Sequence, residues 1–212
     1  MIAVVAFDLD GTLLRGTSVS MCLAQAMGYG ESLRDLERRY ASGAISNREV
    51  AEHTAPWFTG VAPSEVGAML MTAPWMAGVH ETVSALRAEG VHVLLATVTW
   101  KFAADEVARR FGFEATSGTV MDIIAGRLTG QVARHCDEFD KCDFVRLWCQ
   151  ERAVNLQVVM AVGDSRSDLP LFSVVGRSVA INATPDARAA ADETIDTDDL
   201  RDVLPSVLGR TW

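Results

Sequence analysis

Three short apolar runs, each closed by polar residues, constrain this chain more than any other feature. Ile2–Phe7 (IAVVAF) runs into Asp8 and Asp10, Val91–Val98 carries Thr97 near its end, and Leu156–Val162 leads through Gly163 to Asp164. All are far shorter than the ~20 residues that span a bilayer. They also lack the alternation of a half-exposed strand, so they read as strands buried on both faces, as in a parallel sheet. Amphipathic stretches at Val79–Glu89, Phe102–Phe111 and Lys141–Arg152 supply crossover helices. The last of these is expected to turn Phe144, Val145, Leu147 and Trp148 to the core. Glu114–Met121 reads as a strand, Asp122–Gly130 as a hairpin about Gly126, Val179–Ile181 as a short strand and Pro185–Ala191 as a short helix. Another helix is expected to start at Asp164. Strands alternating with helices specify an open α/β sheet with a helical layer on each side.

One segment breaks the rhythm. Residues 17–75 read as helical throughout, including Glu31–Tyr40 and Ser46–Phe58, with interruptions at Gly28–Gly30, Gly43, Gly60–Pro63 and Pro74. A chain of 212 residues that is 49% hydrophobic accommodates one core domain with a modest insert. The expected organisation is therefore a core made of residues 1–14 and 79–212, with a helical cap at 15–78.

A net charge of −9 argues against nucleic acid as a partner, and no run is long enough for a membrane span. The first residues carry neither the basic segment nor the cleavage site of a secretory leader. Cys22, Cys136, Cys142 and Cys149 form no CxxC pair and read as reduced thiols. The expected compartment is the cytoplasm.

In open α/β sheets, ligands bind beyond the carboxyl ends of the strands, so Asp8–Asp10, Thr97 and Asp164 should converge. Residues two apart in an extended segment share a side, which lets Asp8 and Asp10 face one site. Gly11 permits a tight turn there, and Thr12 can satisfy its amides. Paired carboxylates are costly unless a cation lies between them or one holds a proton. Asp168, four residues after Asp164, shares its helical face. Thr99 would share Thr97's side of an extended strand and is its rival. The chain has two lysines, Lys101 and Lys141, beside seventeen arginines.

The string FDLDGTLL, followed in order by Thr97, Lys141 and GDSRSDLP (Gly163–Pro170), resembles the haloacid dehalogenase superfamily, and most of all its phosphoserine-phosphatase-like branch. NATPD at Asn182–Asp186 looks like the segment this branch carries near its C-terminus. The resemblance covers essentially the whole chain. It implies a Rossmann-like three-layer α/β core with a parallel sheet and an inserted helical (C1-type) cap. It also implies a phosphatase that hydrolyses a small-molecule phosphomonoester. In that scheme Asp8 is the nucleophile that forms an aspartyl-phosphate, and Asp10 is the general acid and then the base. Thr97, favoured over Thr99, and Lys141, favoured over Lys101, receive the phosphoryl oxygens. Mg²⁺ is held by Asp8, the backbone carbonyl of Asp10 and Asp164. Asp168 supports the metal or Lys141.

The chain departs from that branch at two places. Thr17 stands where the phosphoserine phosphatases proper carry a glutamate, which puts phosphoserine in doubt as the substrate. Val98–Thr99–Trp100 replaces the small residues often found after the second motif. Substrate contacts are expected from Arg15, Arg48 and Trp57 in the cap. The acid at Asp10 selects phosphate-ester chemistry over carbon–halogen or carbon–phosphorus cleavage. Two alternatives stay open: a phosphotransferase or mutase using the same phospho-Asp8, and a phosphate-sensing protein that stores the phosphoryl group.

Overall fold

The structure is a computed structural model that describes residues 1–42 and 44–209; the expected break at Gly43 lies outside the described residues. Strands β1 (Val4–Phe7), β2 (His92–Leu95), β3 (Ala115–Thr116), β6 (Val159–Gly163), β7 (Arg177–Ile181) and β8 (Glu193–Ile195) make one parallel sheet in the order β3-β2-β1-β6-β7-β8. Strands β4 (Val120–Ile124) and β5 (Arg127–Arg134) form a separate antiparallel hairpin. Because successive side chains alternate, Val5 and Phe7 face one layer while Val4 and Ala6 face the other. Helices α5 (Val79–Ala88) and α6 (Lys101–Phe111) cover the first face. Helix α7 (Glu138–Glu151) covers the second, with short helices at Leu169–Phe172 and Pro185–Ala190. Both faces of β1 are therefore dry, which is why its sequence is an unbroken apolar run. The result is the expected Rossmann-like three-layer α/β fold.

Strand order reverses around β1, with β2 on one side and β6 on the other. The chain leaves these strands in opposite directions, opening a crevice at their carboxyl ends. Between β1 and α5 lie α1 (Val19–Ala26), α2 (Gly30–Ala41), α3 (Asn47–Thr54) and α4 (Pro63–Met69). Ser46–Phe58 is not one continuous helix: Pro56 has no amide to bond back to Glu52, and Ala55–Phe58 tightens into a 3₁₀ turn. Phe58 and Val66 from this segment join the same buried cluster as Phe7 and Phe102.

Two other expectations are corrected by backbone geometry. Glu114–Met121 is not one strand, because only Ala115–Thr116 pairs with β2. Gly118 then turns the chain away at φ +143, and a Cβ there would come within 2.6 Å of the Thr99 carbonyl oxygen. The hairpin turns on Ala125 and Gly126, both with positive φ, as a two-residue turn of the type that matches strand twist. On α7 the buried residues are Lys141, Cys142, Val145, Trp148 and Cys149, while Leu147 is 58% exposed. The i, i+3, i+4 spacing from Lys141 sets the inward face and turns Leu147 to solvent. Among the described residues no helix is long and apolar enough to cross a membrane.

Helix α7 starts where it does because Asp137 caps it. Its carboxylate accepts from the amides of Phe139 (2.8 Å) and Asp140 (3.0 Å), and Asp140 accepts in return from the Asp137 amide (3.0 Å). Asp137→Ala should therefore cost about 1 kcal/mol, lowering the melting temperature by about 2–4 °C for a chain of this size. Calorimetry showing an unchanged melting temperature would contradict this account of the cap.

Candidate active site

The α7 face that packs on the sheet brings a lysine, not an apolar residue, to the strand ends. Lys141 is fully buried, and its Nζ donates to Asp8 Oδ1 at 2.7 Å and to Asp168 Oδ1 at 2.5 Å. Asp8 follows β1 directly, anchored by its amide to the Val162 carbonyl at 2.8 Å. Asp168 is not on a helical face shared with Asp164, as the spacing suggested. The chain from Ser165 makes a 3₁₀ turn (Arg166–Asp168), and Asp168 Oδ2 folds back to accept from the amides of Asp164 (3.0 Å) and Ser165 (3.1 Å). Gly163 is required for this, since a Cβ there would fall 2.1 Å from Asp168 Cγ. Burial alone would lower the Lys141 pKa, but Asp168 and Asp8 beside it outweigh that and raise it. The ammonium stays charged. Burial raises Asp8 well above the usual carboxylate range, Lys141 opposes that, and Asp168 and Asp164 add to it.

Asp164 faces the same centre from the end of β6. One oxygen each from Asp8, Asp164 and Asp168 lies within 4.8 Å of the others. Burial, then the nearby Asp168, pushes Asp164 up to about 7. Its Oδ1 is buried with no hydrogen-bond partner, and its other oxygen lies where a Cβ on Gly11 would clash at 2.2 Å. Asp168 has both oxygens engaged, so Asp8 and Asp164 are the carboxylates with capacity left. An orphaned carboxylate oxygen among hard oxygen donors, in a site where acids outnumber the single ammonium, fits a small divalent cation.

Asp10, two residues beyond Asp8, is positioned by the helical segment. Its Oδ1 accepts from the Val19 amide at the start of α1 (2.6 Å), and Ser18 caps that helix through the Met21 amide (3.0 Å). Burial pushes the Asp10 pKa up to about 6 against the stabilising Val19 bond. Asp10 lines a cavity of about 200 Å³ between the strand ends and helices α2 and α3.

Of the residues expected to touch substrate, Trp57 lines this cavity, stacked on Tyr29 with ring centroids 4.6 Å apart. Arg48 does not: it lies outside, 70% exposed, and pairs with Glu52 one turn along α3. Arg15 pairs with Asp198 at the surface and is likewise outside the lining. Thr97 is fully buried at the end of β2, its Oγ1 accepting from the Thr99 amide (3.2 Å), while Thr99 lines the cavity. Lys101 is engaged elsewhere, bonding Asp105 (2.6 Å) and Thr116 (2.9 Å). Glu37, Tyr40 and Asn47 also line the cavity and were not anticipated. The spacing of Leu33, Glu37 and Tyr40 along one face of α2 was the available signal. Arg166 donates to the Tyr40 hydroxyl at 2.5 Å, joining the loop after β6 to α2.

Fold and site together define a Rossmann-like α/β protein with a buried acidic centre built on the aspartate that ends the first strand. A family model for haloacid dehalogenase-like hydrolases matches residues 5–173. A phosphoserine phosphatase of Campylobacter jejuni subsp. doylei is 25% identical over 96% of this chain and 99% of its own length. A solved phosphoserine phosphatase bearing an analogue of the phospho-aspartyl intermediate superposes with a TM-score of 0.80 at 21% identity, covering 97% of this chain and 99% of that one. A substrate-bound phosphoserine phosphatase complex gives 0.81 at 20% identity, with coverage of 98% and 99%. The chain belongs to the haloacid dehalogenase superfamily, in its phosphoserine-phosphatase-like branch. It is an enzyme of the phosphatase class.

Replacing Lys141 by Met keeps the length of the side chain but leaves two acids buried face to face. The expected loss is about 3–5 kcal/mol in urea unfolding, measured without divalent metal. A loss below about 1 kcal/mol would mean that Asp8 and Asp168 do not depend on that ammonium.

Proposed function

We propose that the protein is a Mg²⁺-dependent hydrolase of small-molecule phosphomonoesters that works through an aspartyl-phosphate on Asp8. The observation that carries this reading is the pairing of Asp8 with buried Lys141, with Asp10 two residues on at the cavity. A carboxylate oxygen of Asp8 attacks phosphorus, and the bond from phosphorus to the ester oxygen breaks. Asp10 gives its proton to that departing oxygen. A pKa near 6 lets it hold a proton and release it close to neutrality. Asp10 then takes a proton from water as the water oxygen attacks phosphorus. The bond to Asp8 breaks, inorganic phosphate leaves, and both carboxyl groups return to their starting state.

Catalysis of phosphoryl transfer is mostly positioning and charge stabilisation. Lys141 supplies a fixed positive charge for the equatorial oxygens. Thr97, whose oxygen already accepts from the Thr99 amide, directs its own hydrogen to them. Asp8, Asp164 and the backbone carbonyl of Asp10 would hold the metal, with Asp168 occupied in holding Lys141. When bound, the ion draws charge from the phosphoryl group and offsets the repulsion among the acids. Residues 15–78 serve as a cap that excludes water from the first step. The four free cysteines suit a reducing cytoplasm.

Phosphate release should require Mg²⁺ and stop on chelation. Asp8→Asn should lose more than ~10³-fold in kcat while keeping its fold by circular dichroism. Release that survives either change would refute the mechanism, and transfer of the phosphoryl group to an added alcohol in preference to water would make the protein a transferase.

A further inference from the structure

The cavity that Asp10 closes at one end limits what the leaving alcohol can be. Polar side chains such as Ser20, Thr54 and Thr99 line it, but its apolar walls are Leu33, Val50, Ala51, Trp57, Phe58 and Trp100. Two of these are tryptophans already ordered by aromatic neighbours: Trp57 on Tyr29, and Trp100 stacked on Phe102 with centroids 5.6 Å apart. Trp57, Phe58 and Trp100 offer ring faces that a polyol would leave without apolar contact. A compact apolar or aromatic group of benzene-like size suits a volume of about 200 Å³.

Charge narrows the choice further. Among the described residues that line the cavity, none is Lys, Arg or His. Arg15 and Arg48, the nearest arginines by sequence expectation, are held outside by Asp198 and Glu52. Arg166 reaches the cavity only through the Tyr40 hydroxyl, so a carboxylate or second phosphate on the leaving group would meet no cation in the lining and would lie close to Asp10. The other charged residue of the lining is Glu37, exposed at the mouth, with Arg34 as its neighbour in the adjoining outer cleft. Aromatic faces and a carboxylate together favour a cation.

We infer that the substrate's alcohol is a compact apolar group bearing a primary amine and no carboxylate, with the amine directed to Glu37. This rests on the phosphomonoesterase reading above and names the substrate class for it.

The test uses matched compounds: phenyl phosphate, tyramine O-phosphate, O-phosphotyrosine and glucose 6-phosphate. Tyramine phosphate adds an amine to the ring, and phosphotyrosine adds a carboxylate to that. The expected order of kcat/KM puts tyramine phosphate roughly tenfold above phenyl phosphate, with phosphotyrosine and glucose 6-phosphate below both. In Glu37→Gln the preference for tyramine phosphate over phenyl phosphate should fall towards one. Tryptophan fluorescence titrations with the product alcohols tyramine, phenol and tyrosine test the same order without turnover, since Trp57 and Trp100 line the cavity. Equal or tighter binding of phenol or tyrosine, or an amine preference that persists in Glu37→Gln, would overturn the inference. Absent turnover with tyramine still bound most tightly would instead overturn the phosphomonoesterase reading and leave the character of the cavity established.

Discussion

One fully buried ammonium organises the catalytic end of this protein. Lys141 reaches Asp8, 133 residues away in sequence, and Asp168, 27 residues away, and draws the end of β1 and the loop after β6 to one point. The ammonium could not be buried without the two carboxylates, and it opposes the rise that burial imposes on the Asp8 pKa. The three charges together add little stability compared with a well-packed apolar trio in their place, although removing one of them alone is costly. What they contribute is position. Asp8 has a single low-energy place to be, and Asp168 is pinned on its far side by two backbone amides. The four-carbon stem is buried where α7 packs on the sheet, and the Asp137 cap fixes where that helix begins.

The parts of this arrangement that were legible in the sequence follow from one-dimensional rules. Runs such as IAVVAF are strands because both faces are covered, and Asp8 and Asp10 share a site because they end one of those runs. The illegible parts depend on contacts that no local pattern encodes. Asp164 and Asp168 suggest a helical face, yet Asp168 turns back because a backbone amide pair holds one of its oxygens and a lysine the other. Arg15 and Arg48 suggest anion binding, yet each finds an acid nearer than the cavity; for Arg48 it is Glu52, one turn along the same helix. Glu37, Tyr40 and Asn47 meet only because α2 and α3 pack with a particular rotation, which depends on the whole insert.

The two halves of the site consequently have different characters. The strand ends are polar, tightly bonded and set by a few residues close to motif positions. The cavity above them is walled by aromatic and aliphatic side chains with polar groups between them and is set by helix packing, with Trp100 and Phe58 bridging to the core through the edge contacts they make with each other at 5.7 Å. A change of substrate could be written into the second half without disturbing the first, because no residue of the Asp8–Lys141–Asp168 group lines the cavity.

Asp10 is where the halves meet, and it belongs to both. Its carboxyl is the polar end of the cavity, yet the bond that orients it comes from Val19, the first residue of the inserted helices. The second tie, from Arg166 to Tyr40, starts two residues beyond Asp164 and ends on the next helix of the insert. A rigid displacement of those helices would therefore break the bond that lowers the Asp10 pKa and release the loop that carries Asp164, both at once. In the proposed mechanism the insert is thus part of the acid–base geometry: where the helices sit decides which way the Asp10 carboxyl points, and how readily it gives up its proton.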